Sequence, residues 1–124
     1  MAAVSRTVAA TPEAAWELLA STRTWAMWGP SVTAVDPPDA TIEAGMHGRV
    51  RTPLGPWLPF CITRCDPPRS WAWTVLGIPA TTHTITPVPG GCRISFGAPT
   101  VALPYLAVCR VALGRIARLL ETTA

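Results

Sequence analysis

The block from Thr11 to Pro30, TPEAAWELLASTRTWAMWGP, constrains what this chain can fold into more than any other stretch. It packs a capped helix, a turn and three tryptophans (Trp16, Trp25 and Trp28) into one short segment. Thr11 suits the N-cap, Pro12 the first helical position, and Glu13 the positive end of the helix dipole. Ala15, Leu18 and Leu19 follow at i, i+3 and i+4, so one face of a helix over about 12–20 is apolar. Ser21 or Thr22 can cap a second short turn that carries Trp25 and Trp28 and ends at Gly29-Pro30. One strand-like segment, residues 2–9, precedes the block. Only strand-like segments follow it, until a single last helix.

Those later strands are separated by turn chemistry. Residues 31–35 read as a strand, and Asp36-Pro37-Pro38-Asp39 breaks it. Gly45-Met46-His47-Gly48 reads as a flexible turn, and a strand resumes over 48–53. Residues 53–59, PLGPWLP, hold three prolines and a glycine, which oppose regular pairing. This segment is therefore expected to be a loop that displays Trp57. Strands are expected over 60–65, 71–76, 81–86 and 92–96, with turns at Asp66-Pro67-Pro68 and 87–91. Trp71, Trp73 and Val75 share one face. The regular alternation of strand and turn predicts a consecutive antiparallel sheet. Past Pro99 the period changes from two to 3.6. Leu106, Cys109, Leu113, Ile116 and Leu120 form one stripe of a helix that starts near residue 103.

Composition excludes several classes. With 124 residues the chain reads as one domain able to bury a core. Charged residues are only 14% of the total, about half the usual share, so extra apolar surface must go into a core, a cavity or a contact face. The net charge of +3 rests on arginines alone, and most of them are scattered, so nucleic acid is not expected as a partner. Cys61 and Cys65 have neither the spacing nor the histidine neighbours of a metal site. On a regular strand they would share a face, too far apart to bridge. Four free thiols, no metal and no cofactor are expected. No h-region and no spanning run is evident, so a cytoplasmic protein without stable membrane insertion is expected.

The order of elements resembles the helix-grip fold of the START-like, polyketide cyclase/dehydrase and lipid-transport superfamily (SRPBCC). The resemblance rests on Pro12 to Leu19, Trp25-Ala26-Met27-Trp28, Asp66-Pro67-Pro68, Thr82-His83-Thr84-Ile85, Gly90 to Ile94 and Gly114 to Glu121. It implies an α+β fold in which a curved antiparallel sheet wraps around a long C-terminal helix, with two short helices after the first strand. It also implies an apolar cavity between sheet and helix for a lipid, polyketide or similar ligand. Some members catalyse cyclisation or dehydration, but the family carries no universal catalytic motif, so no catalytic residue is transferred.

The residues expected to wall the cavity are Trp28, Trp57, Trp73, His83, Phe96 and Leu113. Trp16 is expected in the core, and Trp25 near a loop with a weaker claim on a ligand. His83 shares a face with Thr81 and Ile85. It is the one candidate for a base or donor if that face is concave; otherwise it is a surface or satisfied core histidine. His47 reads as a solvated turn residue, and Arg49 and Arg51 as a solvated strand edge or a rim contact for a carboxylate. Three function classes follow: a binder of a small apolar ligand, a cyclase or dehydratase using His83, and an interaction protein. The last would dimerise or touch a membrane through Val108, Val111 and Leu119 on the last helix.

Overall fold

In a computed structural model, residues 2–98 and 105–122 are described. Thr11 caps α1 (Pro12–Ala20): its Oγ1 accepts the Ala14 N–H at 3.1 Å. The end of α1 explains why the tryptophans follow so closely. A helix leaves its last carbonyls without intrahelical donors. Here the Trp25 indole N–H donates to the Leu19 carbonyl at 2.9 Å, and the Trp28 indole N–H to the Leu18 carbonyl at 3.2 Å. The Thr24 hydroxyl also donates to Leu18, at 2.6 Å, and the Ile42 N–H to Ala20, at 3.0 Å. A 3-10 turn (Thr22–Thr24) and the one-turn α2 (Trp25–Trp28) bring these groups back over the end of α1.

The described strands are β1 (Ala2–Val8), β2 (Ala34–Asp36), β3 (His47–Arg51), β4 (Trp57–Asp66), β5 (Ser70–Val75), β6 (Ile78–Val88) and β7 (Gly91–Ala98). They form one antiparallel sheet in the order β1-β7-β6-β5-β4-β3-β2. Its inner face buries Val50, Phe60, Ile62, Trp71, Ile85 and Ile94. The last helix, α3 (Tyr105–Thr122), lies against β1 and β7 and against α1 and α2. Cys109, Leu113, Ile116 and Leu120 are buried, as their spacing predicts; the side chain of Leu106 and the start of the helix near 103 lie outside the described residues. Glu121 fastens the far end of α3 by accepting the Ala9 N–H at 3.1 Å. The fold is thus the α+β helix-grip arrangement that the element order predicts.

Several local expectations are corrected. The PLGPWLP segment is not all loop: β4 begins at Trp57, which pairs with Arg51, and Pro59 pairs with Arg49. A proline donates nothing, but its carbonyl still accepts, and Pro59 takes the Leu76 N–H at 2.9 Å. β3 begins at His47, one residue before the expected start at Gly48, and ends at Arg51. A Cβ on Gly48 would fall 2.6 Å from the Phe60 ring, so the position demands glycine for close packing. β2 is only three residues long: Ser31 and Val32 border a cavity outside the strand, and Thr33 joins β3 only through its N–H to the Arg51 carbonyl at 2.8 Å and its hydroxyl to the same carbonyl.

Tryptophan burial is also reassigned. Trp25 is a core residue, 2% exposed, whereas Trp16 is only half-buried at the core's edge. Cys61 and Cys65 do not share a face. A register shift between Ile62 and Arg64 inserts one extra residue, leaving Cys61 outward and Cys65 packed against the core opposite Trp71. Both thiols, with Cys92 and Cys109, are free. Among the three apolar residues off the helix stripe, Val111 is exposed, but Leu119 packs against the core and Val108 borders an internal cavity.

Candidate ligand site

Two bulges build the site. The shift between Ile62 and Arg64 adds a residue to β4, and a second, between Ala72 and Thr74, sets Ala80 and Thr81 of β6 against Trp73. Trp73 lies between both irregularities. Bulges bend a sheet and re-aim side chains. Here they turn Trp73 and Thr81 towards each other on the inner face, and the Trp73 indole N–H donates to Thr81 Oγ1 at 3.1 Å.

Below that bond lies a narrow aromatic chamber. Trp25 stacks on Trp71 at 5.2 Å between ring centroids, and Trp71 stacks on His83 at 3.8 Å. Phe96 meets the His83 ring edge-on at 4.8 Å, and Trp28 closes over both. Val108, Cys109 and Ala112 of α3 complete the wall. The chamber encloses about 30 Å3, room for a water molecule or two but not for an organic ligand.

The hydrogen bonds fix the state of His83. Its Nδ1 lies 3.3 Å from the Trp71 carbonyl and its Nε2 lies 3.1 Å from Thr81 Oγ1. A carbonyl only accepts, so Nδ1 carries the proton and Nε2 accepts from the Thr81 hydroxyl. Burial pushes the imidazole down to about 3, against the smaller opposing pull of the Trp71 carbonyl. His83 is therefore neutral at pH 7. The relay runs from the Trp73 N–H through the Thr81 hydroxyl and the His83 ring to the Trp71 backbone, and both ring nitrogens are engaged. Burial also pushes the Cys109 thiol up, which keeps it in the unreactive thiol form.

Above the same bond lies a wider cavity of about 280 Å3. Val50, Leu58, Val75, Pro79 and Ala80 make its wall apolar, and Val32 and Ala98 border it. It shares Ser31, Val32, Trp73 and Thr81 with the narrow chamber. Thr52 lies two residues beyond Val50, on the same inward-facing side, and also lines the cavity.

Four of the six residues expected at the site are brought together: Trp28, Trp73, His83 and Phe96 all line the narrow chamber, and Trp73 alone of them also lines the wide one. Leu113 is buried but faces the β1 side, beside Val4 and Arg6. Trp57 is 39% exposed, with the Arg49 guanidinium 5.1 Å above its ring, and lines neither cavity. Arg49 pairs with Asp36 at 2.7 Å and Arg51 donates to the Gly55 carbonyl at 3.2 Å, both at the exposed surface. His47 is exposed, 3.8 Å from Cys61 Sγ. Sequence reasoning missed the wide cavity's wall of small and medium residues. The pairing of Val50 with Leu58 across a short Pro/Gly hairpin was the available signal.

The chain matches a known family over nearly its whole length: residues 1–123 fit "Polyketide cyclase / dehydrase and lipid transport". The chain belongs to that family. Solved structures share the family's fold at low identity. Protein MLL2253 from Mesorhizobium loti is 17% identical with a TM-score of 0.78, covering 99% of this chain and 98% of that one. Ms6760 from Mycobacterium smegmatis is 23% identical with a TM-score of 0.71, covering 98% of this chain and 91% of that one. DynU16, from the dynemicin biosynthetic locus, is 23% identical with a TM-score of 0.71, covering 98% of this chain and 47% of that one. No curated protein matches the chain. Among the described residues no helix is long and apolar enough to cross a membrane, and no group of three or more His, Cys, Asp or Glu is placed to hold a metal ion.

Proposed function

We propose that this polyketide cyclase/lipid-transport family member binds a small apolar or amphipathic ligand inside the fold, against the inner face of the sheet. The observation that carries this reading is the cavity of about 280 Å3 with an almost wholly apolar wall, close to the lower end of the volume range of small-molecule sites. Among the described residues α3 borders only the narrow chamber, whereas the wide cavity is walled by the sheet and the 29–33 loop.

The neighbourhood of His83 supports an architectural role rather than that of a general base. Its lone pair accepts the Thr81 hydroxyl, and a group with a value of about 3 has little affinity for a substrate proton at neutral pH. The direct test is native mass spectrometry of the purified protein after exposure to a cell extract, followed by backbone amide NMR with the molecule recovered. Binding should shift the amides of Trp73, Val75 and Ala80. Shifts confined to the outer face of the sheet, or no retained molecule at all, would overturn the reading.

A further inference from the structure

The wide cavity holds a chemical instruction beyond its size. Among its described lining residues, Thr52 carries a hydroxyl with nothing to bond. Thr52 Oγ1 is buried and has no hydrogen-bond partner among the described residues. Thr81 Oγ1, the neighbouring hydroxyl, already accepts from Trp73 and is committed to His83. A buried hydroxyl without a partner is costly, and a ligand that supplies one recovers that cost.

Charge is the second half of the instruction. No charged side chain lines the cavity among the described residues, and residues 99–104, PTVALP, contain none. The two nearest cations in the sequence, Arg49 and Arg51, are engaged by Asp36 and the Gly55 carbonyl at the surface. An ionised group drawn into this cavity would lose its water and gain no counter-charge.

Resting on the reading that the cavity is a ligand site, we infer that it selects neutral molecules that carry a single hydroxyl or carbonyl to meet Thr52 Oγ1, and rejects carboxylates of the same shape. The ligand's apolar body lies against Leu58, Val75 and Ala80, and its polar group meets the Thr52 hydroxyl once that side chain turns about χ1, because Oγ1 is closed to water in its present rotamer. A free fatty acid or an aromatic acid does not enter in its ionised form; the corresponding alcohol, phenol or ketone does. A hydroxyl can donate as well as accept, so Thr52 accommodates either kind of neutral group.

Three probes of one shape separate the claims: naphthalene, 2-naphthol and 2-naphthoate, titrated into the full chain at pH 7.5 and followed by amide NMR. We expect 2-naphthol to bind about three- to tenfold more tightly than naphthalene, the range that one hydrogen bond to an otherwise unpaired group supplies. We expect 2-naphthoate to bind at least about tenfold more weakly than 2-naphthol. In Thr52→Val, a change of nearly equal volume, the advantage of 2-naphthol over naphthalene should vanish. If no probe binds, the ligand-site reading itself fails and takes this inference with it. If naphthalene and 2-naphthol bind equally to the unmodified protein, or if Thr52→Val keeps the difference, the cavity is a ligand site but Thr52 is not its anchor. If 2-naphthoate matches 2-naphthol, the selection for neutral ligands is wrong. Thr52→Ser, which keeps the hydroxyl, should retain the 2-naphthol preference and so separates hydrogen bonding from shape.

Discussion

The narrow chamber and the wide cavity meet at the Trp73–Thr81 hydrogen bond, yet they solve opposite problems. The chamber is filled by large rings, and the relay from Trp73 to the Trp71 backbone has its hydrogen bonds made internally, while the Trp71 indole N–H is buried without a partner among the described residues. The cavity is lined by small and medium aliphatic side chains and keeps a bare hydroxyl. The contrast shows where a fold of low charge content invests its aromatic residues. Large rings carry much apolar area per side chain, and indole N–H groups can bond carbonyls that a helix end leaves free. That makes tryptophan suited to a packed hinge between helix and sheet. A site meant to receive a ligand needs the reverse: modest side chains and space.

The contrast breaks first at Trp25. It stacks on Trp71 and holds the Leu19 carbonyl from within the packed half. Trp25→Ala should cost about 3–5 kcal/mol in chemical denaturation, the usual range for a large core aromatic. A loss below about 1 kcal/mol would mean that the chamber is not the packed half.

His83 gives the next effect, and its sign follows from burial. Its folded value of about 3 lies below the ordinary 6.5, so the unfolded chain binds the extra proton between those limits. The stability contributed by this neutral buried ring is complete above pH 6.5 and is lost as pH falls towards about 3. Within that window the slope from one such group approaches about 1.4 kcal/mol per pH unit. His83→Phe keeps an aromatic ring but cannot titrate. The measurement is the stability of both proteins at pH 7 and pH 5, and the variant should lose less between the two. Equal slopes would place the His83 ring in contact with water.

How much of this could be read from the chain differs between the two regions for a physical reason. Thr11, Pro12 and the Leu18/Leu19 spacing act locally, so α1 was legible with its cap, and the 3.6-residue stripe of Cys109, Leu113 and Ile116 fixed the face of α3. The chamber was partly legible, because alternation along β6 put His83 on the side of Thr81 and Ile85. Burial of Trp25 was not, because it depends on where α2 docks against Trp71, a contact between residues far apart in sequence. The bulges were also hidden: nothing in Ile62-Thr63-Arg64 announces an extra residue, yet it decides which face Cys65 takes. The two-residue turn at Leu76-Gly77, both with positive φ, set the end of β5 one residue earlier than alternation suggested. The wide cavity was least legible, since a void is defined by what side chains do not reach.

Filling that void tests the second half of the contrast. Val75 faces inward from β5 and borders the wide cavity. Val75→Trp should reduce 2-naphthol affinity by at least about tenfold while changing stability by no more than about 1 kcal/mol. Open space takes the added volume there, whereas a packed core would be strained by about 1–3 kcal/mol. Unchanged affinity in a folded variant would move the ligand elsewhere.

The smallest effect belongs to the residue that looked most like a ligand-site tryptophan in the sequence. Trp57 stands beside a Pro/Gly turn, but pairing with Arg51 sets it at the start of β4, partly exposed and beneath the Arg49 guanidinium. An exposed contact of that kind contributes about 0.5–1 kcal/mol, so Trp57→Ala should lower stability by no more than this in thermal or chemical denaturation. Because Trp57 lines neither cavity, 2-naphthol affinity should stay within about twofold, whereas the Val75→Trp change should all but remove it. A tenfold loss of affinity in Trp57→Ala would extend the site around the edge of the sheet and put the Arg49 charge within reach of the ligand. It would then reopen binding of carboxylates, which the charge-free wall at Thr52 disfavours.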